Sequence, residues 1–218
     1  MKIFDNILKN LSLVLLFMNV ILYAYSYLKD NKSKALKYFA IYLTLTFCVL
    51  IASLLIVDYH EVLHIKQNNL FLSHFYFIFQ FIFLTLFFSQ LFNKRQRRAQ
   101  KIISGIVFSV LIIQYSLNPE LYYKFNLLEI FITSFPLVIY SIIHLYNALS
   151  RTGKYMYINA GVLIYLSTST LIFILGDYLS KLDRDIASDA WFLNRLFYVG
   201  YLTVILIEWK KSLWRTKN

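Results

Sequence analysis

The sequence predicts an all-α polytopic membrane protein, a bundle of seven transmembrane helices with its N-terminus outside and its C-terminus cytoplasmic. Three observations carry this. First, 59% of the 218 residues are hydrophobic, only 15% are charged, and mean hydropathy is +0.59. Soluble domains carry about a quarter charged residues, and a globule of this composition would have to build its own surface from apolar side chains. Second, the apolar residues fall into seven runs, most near the roughly 20 residues that cross about 30 Å of hydrocarbon at helical rise. Third, the cations alternate from loop to loop. With the N-terminus outside, fifteen of the 22 Lys and Arg fall on the inner side and nine of the 11 acids on the outer side, the bias expected of a cytoplasmic face. Helices are required because backbone groups in lipid must be satisfied within the segment. The runs do not alternate in polarity as barrel strands would.

The first span is 11–28. It is preceded by Lys2 and Lys9 and carries the small residues Ala24 and Ser26 near its end, as in a signal peptide, but is read here as a retained helix. The second, 38–57, contains Cys48, the only cysteine, which is read as a small buried hydrophobe. The third, 70–92, is apolar and aromatic almost throughout. It runs into 93–101, NKRQRRAQK, with five cations and no acid, which reads as a cytoplasmic loop. The fourth, 102–117, is short and is closed by Asn118-Pro119. The fifth, 126–149, contains Pro136, expected to kink it by removing a backbone donor and crowding the preceding turn. The sixth, 155–177, carries the hydroxyl run 167–170, a signal of close helix packing. The seventh, 191–209, is bracketed by Trp191 and Trp209, as aromatic belts are.

Four constellations could carry chemistry. His60-Glu61-Val62-Leu63-His64 matches H-E-x-x-H, in which two histidines one turn apart suit zinc and the Glu serves as general base. The metzincin spacing beyond the second His is absent, so a third ligand would have to come from His74, Glu129 or Asp177. Ser73, Tyr76 and Gln80 share one arc of the third span, with His74 beside it. Polar groups at that depth are expected to face the bundle interior and line a cavity open to the outside, or to form a packing cluster. Glu129, Asp177 and Arg195 lie near outer helix ends, where Arg195 needs an acidic partner, Asp177 or Glu129. His144, with Asn147, lies near the inner end of the fifth span and reads as hydrogen-bonded packing, because no second histidine at that depth completes a haem site.

Several classes are excluded. No lysine lies within the body of a span, which removes a retinal Schiff base. Neither a G-x-S-x-G elbow nor a P-loop is present. The net charge of +11 is assigned to loop orientation and anionic lipid head groups rather than to nucleic acid.

The run 69–83, NLFLSHFYFIFQFIF, and the later stretches LGDYL and NRLFYVGYLTVILIEWKK resemble segments of small, uncharacterised seven-helix integral membrane proteins of Bacteroidetes-type bacteria. That resemblance implies a bundle in a bacterial inner membrane and implies no activity.

The expected function is a non-enzymatic sensor or signalling component. His74, Tyr76, Gln80, Glu129, Asp177 and Arg195 would bind a small ligand, lipid or partner helix in the outer half, without a cofactor. Lys94, Arg95, Arg97, Arg98, Lys210 and Lys211 would dock a cytoplasmic partner protein, since no loop is long enough for a kinase or cyclase domain. A homo-oligomer is compatible with this reading. The first alternative is a zinc-dependent intramembrane hydrolase with His60 and His64 as ligands and Glu61 as base. The second is an oligomeric pore or membrane-permeabilising effector.

Overall fold

A computed structural model describes residues 2–29, 33–58, 69–149, 153–182 and 184–214. These residues form seven α-helices: α1 Lys2–Lys29, α2 Lys34–Asp58, α3 Phe71–Leu91, α4 Lys94–Leu117, α5 Leu127–Leu149, α6 Met156–Leu182 and α7 Arg184–Glu208. A 3-10 turn, Pro119–Tyr123, joins α4 to α5, and a π-helical turn, Trp209–Trp214, extends α7. No strand occurs among the described residues. All seven helices are long and apolar enough to cross a membrane, so the protein is an integral membrane protein.

Six helices close into a ring in the order α1, α2, α3, α5, α6, α7 and back to α1, and α4 lies outside it in the groove between α3 and α5. Apolar burial cannot explain this arrangement, because lipid tails are as apolar as leucine and helices associate there through shape and hydrogen bonds. The ring closure shows such bonds. From α1, Asn19 donates to the Leu202 carbonyl at 3.0 Å and Tyr23 to that of Ile205 at 2.9 Å. The Trp209 indole donates to Ser26 at 2.8 Å, so this tryptophan faces α1 rather than serving only as a belt residue. Between α6 and α7 there is also a close steric contact. A Cβ on Gly161 would meet the Tyr201 ring at 3.0 Å and Val204 at 3.5 Å. Gly161→Val is expected to lower stability by about 1–3 kcal/mol through overpacking, read as an earlier unfolding midpoint in a detergent titration.

The fourth helix corrects the sequence reading. Residues 94–101 are its first two turns, not a loop. Asn93 is the N-cap: its side chain accepts from the Gln96 backbone at 2.9 Å, and Gln96 answers the Asn93 backbone at 3.1 Å. A cap of this kind contributes about 1 kcal/mol. It works against four cations among the first five residues, with no acid in the first turn, each unfavourable by roughly 0.3–1 kcal/mol beside a helix N-terminus. Polar clasps then hold α4 to the ring. Gln96 and Asn147 exchange amide bonds at 3.1 and 3.2 Å, Gln114 and Asn126 do so at 3.0 and 3.1 Å, and Gln100 donates to the Thr85 carbonyl at 2.9 Å.

Other expectations resolve locally. Helix α5 runs through buried Pro136 as one element. In the hydroxyl run, Ser169 and Thr170 are buried, while Thr168 bonds back to its own helix at Ile164, 2.7 Å away. Cys48 is exposed on α2, not buried, because its arc of the helix faces away from the ring.

Candidate functional site

The ends of the bundle differ chemically. At one end lie the starts of α2, α4 and α6 with Lys34, Lys37, Lys94 and Lys154. Buried Glu208 on α7 caps α6 there, accepting from the Tyr157 backbone at 2.8 Å, and Lys211 donates to the Tyr157 hydroxyl at 2.6 Å. This basic end carries the clustered cations. The opposite end carries two polar features, one on each side of α3.

The first is a buried cluster joining α3, α4 and α5. His74 Nδ1 lies against Glu129 Oε2, and both residues are almost wholly buried. The Tyr115 hydroxyl donates to the same carboxylate oxygen at 2.6 Å and lies 2.8 Å from His74 Nδ1. Asn126 organises the group. Its amide donates to Tyr115 at 3.1 Å, and its oxygen accepts from the Glu129 backbone at 3.2 Å, capping α5. Tyr122, from the 3-10 turn, stacks on the His74 ring at 5.5 Å. In that turn the exposed Glu120 carboxyl is held below its ordinary range by a 2.8 Å hydrogen bond from Lys124. Two atoms of the cluster, His74 Nε2 and Glu129 Oε1, are buried with no hydrogen-bond partner among the described residues. Chemically the cluster can hold a proton between an imidazole and a carboxylate, and it ties the peripheral α4 to the ring.

The second is a cavity of about 340 Å³ inside the ring, between α2, α3, α6 and α7. Asn69, Leu70, Phe125 and Trp191 line it toward the helix ends, and Thr46, Tyr76, Tyr165 and Tyr198 line its deeper part. Ser53 and Asn69 tie α2 to the start of α3 at 2.5 Å. Aromatic side chains pack against one another through the wall: Phe77 meets Phe173 at 5.7 Å and Phe173 meets Trp191 at 5.6 Å. Tyr165 stacks on Tyr201 at 5.2 Å and lies 5.2 Å from Tyr198.

The residues expected at the outer site therefore separate. Tyr76 lines the cavity together with Ser73. His74 and Glu129 belong to the cluster on the other side of α3. Gln80 is buried but is not among the cavity-lining residues. It shares the arc of Ser73 but lies seven residues further along, roughly 10 Å deeper at helical rise. Arg195 pairs with Asp5, not with Glu129, because α7 packs on α1 in the ring while Glu129 is engaged by His74 and Tyr115. Asp177 lies on α6 with its side chain outside the described set, and His60, Glu61 and His64 lie outside the described residues. Among the described residues no three His, Cys, Asp or Glu come together as a metal site. At the basic end, Lys94, Arg95 and Arg98 line a cleft, Arg97 turns back to the Phe92 carbonyl at 2.9 Å, and Lys210 and Lys211 are exposed.

Sequence reasoning assigned the tyrosines mainly to packing and lipid, and so missed Tyr165 and Tyr198 in the cavity wall. The available signal was Tyr198 and Tyr201 at i, i+3 spacing on α7, opposite Tyr165 at mid-span of α6. No family model, curated protein or solved structure matches this chain.

Proposed function

We infer that the protein is a non-enzymatic receptor of a bacterial inner membrane, with the cavity end outside and the basic end cytoplasmic. It binds a small, largely apolar molecule carrying one or two hydrogen-bonding groups. The observation that carries this reading is the 340 Å³ cavity, apolar and aromatic toward its mouth, with tyrosine hydroxyls deeper in. Small-molecule sites run from about 300 to 1,000 Å³ and combine apolar walls with a few placed polar groups. The ligand's ring or chain would lie against Phe77, Phe173 and Trp191, and its polar group would reach Tyr76, Tyr165 and Tyr198. Helix α3 supplies part of the wall and, on its other side, His74. A shift of α3 on binding would pass through Tyr115 and Glu129 to α4 and thence to the cytoplasmic end, where Lys210 and Lys211 face a partner protein.

A bromonaphthol tests this reading, since it has one hydroxyl on a flat apolar body and a bromine that quenches tryptophan emission at short range. Titrated into the full chain in detergent, it is expected to quench Trp191 saturably, and Trp191→Phe is expected to remove the saturable part. Quenching that rises linearly and survives Trp191→Phe would leave the receptor reading without support.

A further inference from the structure

We propose that the cleft on the flank of α4 lined by Lys94, Arg95, Arg98, Ala99 and Ile102 is a binding site for the head group of an anionic phospholipid. The cleft encloses about 340 Å³. Its three cations lie on successive turns of one helix face, and among the described residues no carboxylate pairs with any of them; the ion pairs there are His74–Glu129, Lys124–Glu120 and Arg195–Asp5. Arg97, on another face of the same turns, is satisfied by the Phe92 carbonyl. Of the backbone donors at the start of α4, those of Gln96 and Arg97 are taken by the Asn93 side chain and carbonyl. What the cleft offers an anion is therefore three side-chain cations without counter-charge.

Position selects a lipid over an acidic peptide. Helix α4 stands outside the six-helix ring, so its free flank faces the bilayer. Its apolar part, 102–117, covers roughly 24 Å at helical rise, and the two basic turns add about 12 Å, which carries them from hydrocarbon into the head-group layer. Along the same face, Ile102, Ile106 and Ile113 are each 58% exposed and form a strip suited to an acyl chain. One molecule satisfies both halves: a phosphate with a net negative charge in the cleft and its chains along the isoleucines. A zwitterionic lipid brings the chains but cancels the charge. This inference is independent of the cavity and its ligand.

The test is native mass spectrometry of the delipidated full chain in a neutral detergent, titrated with dioleoylphosphatidylglycerol or dioleoylphosphatidylcholine. The wild type is expected to bind the glycerol lipid more tightly. Lys94→Gln/Arg95→Gln/Arg98→Gln is expected to weaken that binding roughly 100-fold, at about tenfold or less per cation, and to leave phosphatidylcholine binding unchanged. Lys29→Gln/Lys34→Gln/Lys37→Gln removes equal charge from the same end and is expected to keep the preference. The cleft variant is expected to melt in phosphatidylcholine micelles no earlier than the wild type, because its three side chains make no contact that the fold needs. A wild type without preference, an equal loss in the control triple, or a cleft variant destabilised without anionic lipid would each overturn the proposal.

Discussion

Glu129→Leu is expected to destabilise the protein by about 3–5 kcal/mol, the loss typical when one member of a buried pair is removed. The substitution removes the acceptor that two groups share, His74 Nδ1 and the Tyr115 hydroxyl that Asn126 braces. His74 is almost fully buried, so its ring nitrogen is left with little access to water. His74→Leu is expected to cost a similar amount, because the carboxylate keeps only Tyr115. The double variant is the informative member. Replacing both partners with apolar groups of similar volume removes the orphaned polarity, so His74→Leu/Glu129→Leu is expected to lose well under the sum of the two single losses, with a coupling of about 1–3 kcal/mol. Unfolding midpoints of the four proteins in one detergent close the cycle. Additive losses would mean that the His74–Glu129 contact carries no coupling.

The second large effect concerns the cavity. Thr46→Phe places a ring in the deeper part of the 340 Å³ space beside Tyr76 and Tyr198. Thr46 is buried, so the added atoms have nowhere to go but inward. Saturable quenching of Trp191 by the bromonaphthol is expected to weaken at least roughly 100-fold, since overlap with a filled site forfeits most of a small ligand's contact energy. Because the ring fills an existing space, stability is expected to change by under about 1.5 kcal/mol. Unchanged quenching at unchanged stability would place the probe elsewhere. Tyr76→Phe separates the polar contribution: it keeps the wall and removes one hydroxyl, and an expected loss of roughly 3- to 10-fold matches one net hydrogen bond.

The fold was legible because lipid simplifies the problem. Seven apolar runs of spanning length need no tertiary knowledge, and the alternation of Lys and Arg gave the count an independent check. Boundaries were harder where charge and helix coincide. Residues 93–101 read as a loop because five cations in nine residues belong outside hydrocarbon, yet being outside hydrocarbon does not prevent helix. The Asn93–Gln96 box continues α4 through them, and that N-x-x-Q spacing was visible in the sequence.

The site was legible only in part. Helical spacing placed Ser73 and Tyr76 on one arc, and both line the cavity; the same spacing could not show that Gln80 lies too deep. Pairing was illegible for a different reason. His74 and Glu129 are 55 residues apart and Arg195 and Asp5 are farther apart still. Which charges meet depends on the order of helices around the ring, with α7 against α1 and α4 displaced outward. Hydropathy carries no information about that order.

Cysteine labelling from both sides of sealed vesicles tests the bundle and its placement together. In a Cys48→Ser background, single cysteines replace Lys124, at the cavity end, and Arg98, in the basic cleft. The account predicts that a membrane-impermeant maleimide added outside to right-side-out vesicles labels the position-124 cysteine at once and the position-98 cysteine only after the membrane is opened. Labelling of both positions from the same side would contradict a chain that crosses the bilayer between them, and with it the assignment of cavity and cleft to opposite faces.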